Sequence, residues 1–233
     1  MSIEQILLTT PFAHRGLWAS GRTPENSLSA FDAACRGGYG VELDVQLSAD
    51  GDPIVFHDEI LERMTAESGL VEERTTEELT ALRLLGSSDH IPTLAETLSM
   101  IAGRTPVLIE LKTPRGQEGP LEKSVAQLLA DYSGRSAILS FNFDALACFS
   151  KITTDVPTGL NRAEHPFEFG PEAPDFISVS VNLASDPSVQ EWRQQVGLAI
   201  AWTVKSRSQF DSLKGSDRLS GLVDNVIFEG FDP

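Results

Sequence analysis

The chain has 233 residues, 41% hydrophobic, 22% charged and 7% aromatic, the make-up of a folded protein with material for a sizeable core. Its 34 acidic and 18 basic side chains leave a formal charge of −16, which argues against nucleic acid or an anionic membrane as a stable partner, since both call for a basic face. A site for an anion would therefore need local positive charge of its own, from a cation, Arg or Lys.

The length is large for one domain but within the range of a single α/β barrel, so one domain over residues 1–233 is expected. Met1–Thr10 holds only a short apolar run, Ile6-Leu7-Leu8, with no basic segment ahead of it, and is expected to be neither a signal peptide nor a membrane span. Cys35 and Cys148 form no CxxC pattern, which suits a reducing, cytoplasmic setting better than a disulfide framework or a thiolate metal site.

In chain order, short β-rich runs occur at Phe12-His14, Val41-Val45, Val107-Leu111, Ala137-Ser140, Thr158-Leu160, Phe176-Val179, Leu198-Val204 and Leu222-Phe228. Helix signals fall between many of them. Thr23 with Pro24 predicts a helix start and Gly37-Gly38 its end, Thr93 with Glu96 and Ser206 with Gln209 read as capping boxes, and Asp186-Pro187 opens a further helix. Strand and helix in alternation imply parallel pairing, and eight such units in this length predict an α/β fold of the (β/α)₈ barrel type, with a doubly wound sheet as the alternative. The stretch from about 46 to 91, with a turn at Asp50-Gly51 and a short strand Pro53-His57, breaks the rhythm and reads as a small insertion after the second strand.

Within Gly40-Val41-Glu42-Leu43-Asp44-Val45, the two carboxylates lie two residues apart and share one strand face, while Val41, Leu43 and Val45 take the other. If the apolar set faces the helices, Glu42 and Asp44 point into the barrel, where unpaired carboxylates are costly and a hard divalent cation would relieve the cost. The run also fits an edge strand with a solvated acidic face. Val107-Leu108-Ile109-Glu110-Leu111-Lys112 repeats the pattern, so Glu110 can complete a three-carboxylate site and Lys112 can meet a phosphate oxygen; the pair also fits a local surface ion bridge.

His14-Arg15-Gly16 and His57-Asp58 each close an apolar strand, where barrel enzymes place catalytic groups, although either taken singly also fits a surface histidine. His90 and His165 stand in polar or Pro-bounded surroundings and read as surface residues. Two imidazoles near a phosphate could remove one proton and deliver another.

The ordered set His14-Arg15-Gly16, Pro24-Glu25-Asn26-Ser27, Glu42-Leu43-Asp44-Val45, Asp50-Gly51, Pro53-Ile54-Val55-Phe56-His57-Asp58, Ile91-Pro92-Thr93-Leu94, Glu110-Leu111-Lys112, Ser140-Phe141 and Ala201-Trp202-Thr203-Val204 resembles the glycerophosphodiester phosphodiesterase family over nearly the whole chain. The resemblance implies a (β/α)₈ barrel that hydrolyses small glycerophosphodiesters to sn-glycerol 3-phosphate and an alcohol. It implies Glu42, Asp44 and Glu110 as ligands of one divalent cation, magnesium or calcium with manganese also suitable, His14 and His57 as the acid/base pair, and Arg15 and Lys112 as phosphate contacts. Trp202, at a strand end, reads as a wall of the substrate pocket or as core packing. The chain departs from the family where Phe228-Glu229-Gly230 replaces the usual Thr-Asp ending of the last strand, a region that bears on substrate choice. Two other readings are a phospholipase-D-like enzyme acting on lysophospholipids and a barrel that binds without catalysis; the pattern leaves oligomeric state unassigned.

Overall fold

The computed structural model describes residues 3–164, 173–195, 197–215 and 221–233. His165 lies outside them. Eight parallel strands close a barrel: β1 (Phe12–Ala13), β2 (Gly40–Leu47), β4 (Val107–Leu111), β5 (Ser136–Ser140), β6 (Thr158–Arg162), β7 (Phe176–Ser180), β8 (Leu198–Val204) and β9 (Asn225–Phe228). Closure comes from β1, which pairs in parallel with both β2 and β9. β3 (Pro53–Val55) stands outside the ring, antiparallel to the end of β2.

Helices α1 (Ile3–Leu7), α2 (Leu28–Gly37), α3 (Thr76–Ala81), α4 (Leu94–Ile101), α5 (Pro120–Ala130), α6 (Phe143–Ile152), α7 (Pro187–Gln195) and α8 (Arg207–Lys214) complete the fold, a (β/α)₈ barrel. Among the described residues no helix is long and apolar enough to cross a membrane.

Strand alternation sends apolar residues either outward to the helices or inward to the barrel. Val41, Leu43 and Val45 of β2 and Val107, Ile109 and Leu111 of β4 pack outward with Phe31 of α2, Leu94 and Leu98 of α4 and Val125 of α5. Inside, Phe12, Leu108, Leu139, Phe176, Ile200 and Ile227 fill the lower barrel, capped by Ile6 and Leu7 of α1. Asn225 Nδ2 donates to the carbonyls of Leu7 and Thr10, tying α1 to the barrel floor. Two glycines make room for this plug. A Cβ on Gly40 would meet the Phe12 ring at 2.5 Å, and one on Gly159 would meet the Phe176 ring at 2.3 Å. With the floor filled, any cavity in the barrel must open at the C-terminal ends of the strands.

Residues 48–91 carry β3, a 3₁₀ turn at Val71–Glu73 and α3, around an apolar cluster of their own that includes Ile54, Phe56, Leu61, Val71 and Leu79.

One predicted helix start fails. Thr23 does not cap a helix; α2 starts four residues later, where the Ser27 side chain accepts from the Ala30 amide, and it ends as expected at a left-handed Gly38. Residues 23–26 are drawn instead across the barrel mouth, because Glu25 and Asn26 are bound by charged groups there. The helix starts at Thr93, Pro187 and Ser206 are observed. At the first, Glu96 turns its carboxylate to His90 rather than back to the cap, so only half of the predicted box forms. At Ser206 likewise, Gln209 accepts from the Lys205 amide. The last strand is shorter than its apolar run, beginning at Asn225.

Candidate active site

All eight residues singled out from sequence, His14, Arg15, Glu42, Asp44, His57, Glu110, Lys112 and Trp202, line one cavity of about 210 Å³ at the C-terminal mouth of the barrel. Phe141, Asn161, Thr203, Leu139 and Ile227 complete its wall. Glu42 and Asp44 enter from β2 and Glu110 from the neighbouring β4, where Asp44 and Glu110 are register partners.

The three carboxylates are 2%, 1% and 8% exposed, and one oxygen from each lies within 4.8 Å of the others. Two fixed cations offset part of this charge. Lys112 Nζ sits 2.9 Å from Asp44 Oδ1 and also contacts Glu110, and Arg15 Nε is 3.2 Å from Asp44 Oδ2. The predicted Glu110–Lys112 pair therefore exists, but within the barrel mouth rather than on the surface.

Titration follows from the uneven sharing of these cations. Burial opposes ionisation of Asp44, yet Lys112 and Arg15 hold its carboxyl well below the usual range. Among the described residues Glu42 has no such ion-pair partner. Its Oε2 accepts from the Arg15 amide at 2.9 Å, and burial together with repulsion from Asp44 pushes it up to about 7. Burial also raises Glu110, against the pull of Lys112. An all-oxygen donor set this close, with charge left uncompensated on Glu42, can hold a hard divalent cation.

Each imidazole is held through one nitrogen. His14 Nδ1 lies 2.7 Å from Glu229 Oε2, and His57 Nδ1 lies 2.9 Å from Asp58 Oδ1. Burial lowers the affinity of His14 for a proton, but the Glu229 bond and nearby Glu42 outweigh it and raise the group above its ordinary value. Burial dominates at His57, which falls below its ordinary value. Glu229, hydrogen-bonded by His14 and paired with Lys205 at 2.7 Å, drops to about 2. In both cases the Nδ1 contact leaves Nε2 as the nitrogen for chemistry.

Several residues in the site have roles that their motif positions did not specify. Arg15 and Asn26 both adopt left-handed backbone, with φ of 56° and 53°. Such conformations are costly away from glycine and persist where surrounding bonds enforce them. Here the Asn26 amide donates to the Arg15 carbonyl at 2.9 Å and Asn26 Nδ2 donates to Asp44 Oδ2 at 2.9 Å. Glu25 binds Arg15 Nη1 and Arg63, and Arg63 reaches on to Asp58, so an ion-pair chain links the two histidine loops. Gly16 is required beneath them: at φ 81°, a Cβ would come within 2.8 Å of Ala30. Asn161 on β6 donates Nδ2 to Glu110 Oε2 at 3.0 Å.

Residues 14–216 match the glycerophosphoryl diester phosphodiesterase family. The chain belongs to this family. A relative from Mycobacterium tuberculosis, named "Probable glycerophosphodiester phosphodiesterase 1", is 42% identical over 225 residues, covering 85% of this chain and 81% of that protein. A glycerophosphodiester phosphodiesterase from Bacillus altitudinis is 36% identical over 160 residues, or 62% of this chain and 63% of that one. The chain spans less than two thirds of the length of the Bacillus and Caldanaerobacter relatives it matches. Among solved structures, an Oleispira antarctica phosphodiesterase in complex with the product sn-glycerol-3-phosphate superposes with a TM-score of 0.81 at 26% identity, covering 95% of this chain and 93% of that chain. Glu229, which holds His14 at the end of β9, lies beyond the residues matched to the glycerophosphoryl diester phosphodiesterase family.

Proposed function

We propose that this chain, folded as one domain with an insertion from about 46 to 91, is a metal-dependent glycerophosphodiester phosphodiesterase that releases sn-glycerol 3-phosphate and an alcohol. The observation that carries the proposal is the single cavity in which three buried carboxylates and two carboxylate-held imidazoles face one another. The product-bound Oleispira relative supports the substrate class. The free thiols of Cys35 and Cys148 support a reducing, cytoplasmic setting.

Glu42, Asp44 and Glu110 would hold one divalent cation, Mg²⁺ or Ca²⁺ with Mn²⁺ as a substitute; when bound it supplies charge stabilisation to the phosphoryl oxygens. Arg15 and Lys112 add fixed positive charge beside the same oxygens. One imidazole Nε2 takes the proton of the attacking oxygen as its bond to phosphorus forms. The other gives a proton to the alkoxide as the bond from phosphorus to the leaving alcohol breaks. Overall, one water is consumed per diester cleaved. Glu229 and Asp58 stabilise the imidazolium forms and fix the ring orientations.

The test is turnover of glycerophosphocholine and glycerophosphoethanolamine by chelator-stripped protein with magnesium, calcium or manganese restored. Activity is expected to return with at least one of these ions. Absence of sn-glycerol 3-phosphate under all three conditions would refute the proposal.

A further inference from the structure

The charged groups of the cavity all lie on one side, on β1, β2, β4 and the loop that follows β3. Asn161 on β6 and Trp202 on β8 bring hydrogen-bonding side chains to the other side and carry no charge. Asn161 is 3% exposed; its Nδ2 is committed to Glu110, which fixes the amide so that Oδ1 is the remaining acceptor, and Oδ1 is buried without a hydrogen-bond partner. Trp202 packs edge-on against Phe141, with ring centroids 5.5 Å apart, and its indole Nε1 is likewise buried without a partner. Ser178, the register partner of Asn161 on β7, has a third such atom, Oγ.

Buried polar atoms are nearly always satisfied, and two exceptions in the lining of one cavity, Asn161 Oδ1 and Trp202 Nε1, call for a ligand that satisfies them; Arg15 Nε, which also lacks a hydrogen bond, has the Asp44 carboxylate at 3.2 Å. An acceptor and a donor with no net charge suit hydroxyl groups, which can both give and take a hydrogen bond. A phosphate would be drawn instead to Lys112 and Arg15 on the opposite side.

We propose that the β6–β8 wall is the subsite that reads the hydroxyl groups of the glycerol moiety, with Asn161 Oδ1 accepting from one and Trp202 Nε1 donating to the other. The assignment rests on the glycerophosphodiester reading above and names the part of the substrate that each half of the cavity holds. Gly159 permits it sterically: with no side chain there, the Phe176 ring fills the barrel below and Asn161, two residues on along the same face, stands at the mouth. An enzyme that recognises hydroxyls in this way rejects phosphodiesters whose carbon chain lacks them, because its own polar atoms would stay unpaired.

The experiment is calorimetric binding of sn-glycerol 3-phosphate and of propyl phosphate, which lacks both hydroxyls, to the full chain in magnesium buffer. Wild type should prefer sn-glycerol 3-phosphate by about tenfold or more, and Trp202→Phe and Asn161→Ala should each reduce that preference by roughly five- to tenfold. Propyl phosphate affinity should stay within about threefold in Trp202→Phe, which also reports an intact fold and phosphate site. Should Asn161→Ala fail to fold, Asn161→Ser takes its place, since its hydroxyl is too short to reach the same position. The proposal is overturned if wild type shows no preference, if either variant keeps the wild-type preference, or if both ligands weaken alike. Turnover of glycerophosphoethanolamine by the same wild-type sample judges the reaction separately, so failure of the subsite and failure of the proposed activity are told apart.

Discussion

At the barrel mouth, the inward positions of β2 and β4 carry Glu42, Asp44 and Glu110, with His14 directly after β1, whereas the corresponding face of β5 to β8 carries Leu139, Asn161, Ser178 and Trp202. Both halves obey the same two-residue alternation. They differ in how their polar atoms are satisfied. On the charged half each carboxylate and each histidine has a named partner, and the left-handed Arg15 and Asn26 are held by that network. On the neutral half Asn161, Ser178 and Trp202 keep unpaired atoms. One half is preorganised by its own ion pairs; the other is left for a ligand to complete.

The largest effect is expected on the charged half. Asp44→Asn removes the carboxylate that both Lys112 and Arg15 address, and steady-state turnover should fall by about 10³-fold or more, the equivalent of several kcal/mol of transition-state stabilisation. His14→Ala and His57→Ala should each cost about 10²- to 10⁴-fold in kcat, measured at saturating metal. If either variant keeps wild-type kcat, that histidine is not part of the proton-transfer pair.

The contrast in preorganisation is tested by stability. Asn26→Ala removes a hydrogen bond to the buried Asp44 and places an ordinary side chain at φ 53°, so urea unfolding should show a loss of about 2–4 kcal/mol. Trp202→Phe on the neutral half keeps an aromatic ring, though smaller than the indole, and removes one unpaired N–H, and its unfolding midpoint should move less than that of Asn26→Ala. Equal losses in the two variants would erase the distinction between the halves.

The smallest effect concerns acid. Glu229 is depressed in the folded protein to about 2 from an ordinary 4.5, so its contribution to stability is present above that ordinary value and is lost as pH falls toward 2. Glu229→Gln should therefore show a shallower decline in melting temperature between pH 4.5 and 2 than wild type. An identical acid limb would mean that Glu229 is not the carboxylate that His14 and Lys205 hold ionised.

Period-two alternation in two apolar runs is a local property, and it was sufficient to put Glu42 with Asp44, and Glu110 with Lys112, on one strand face each; that those faces point inward is decided by the barrel. The alternation of strands with capped helices likewise made the barrel legible, since helix caps at Thr93 and Ser206 depend on only a few neighbouring residues. Thr23 misled for the opposite reason. Its cap signal was locally sound but was overridden by bonds from Glu25 to Arg15 and from Asn26 to Asp44, which join residues 10 and 18 positions apart. Glu229 shows the same limit at longer range, meeting His14 across 215 positions because β9 closes the ring beside β1. The order of residues along each strand thus determined which side chains could face the barrel axis. Closure of the barrel decided which of them share charge, which are held by a carboxylate, and which are left unpaired, because those outcomes depend on distances between strands that no single segment encodes.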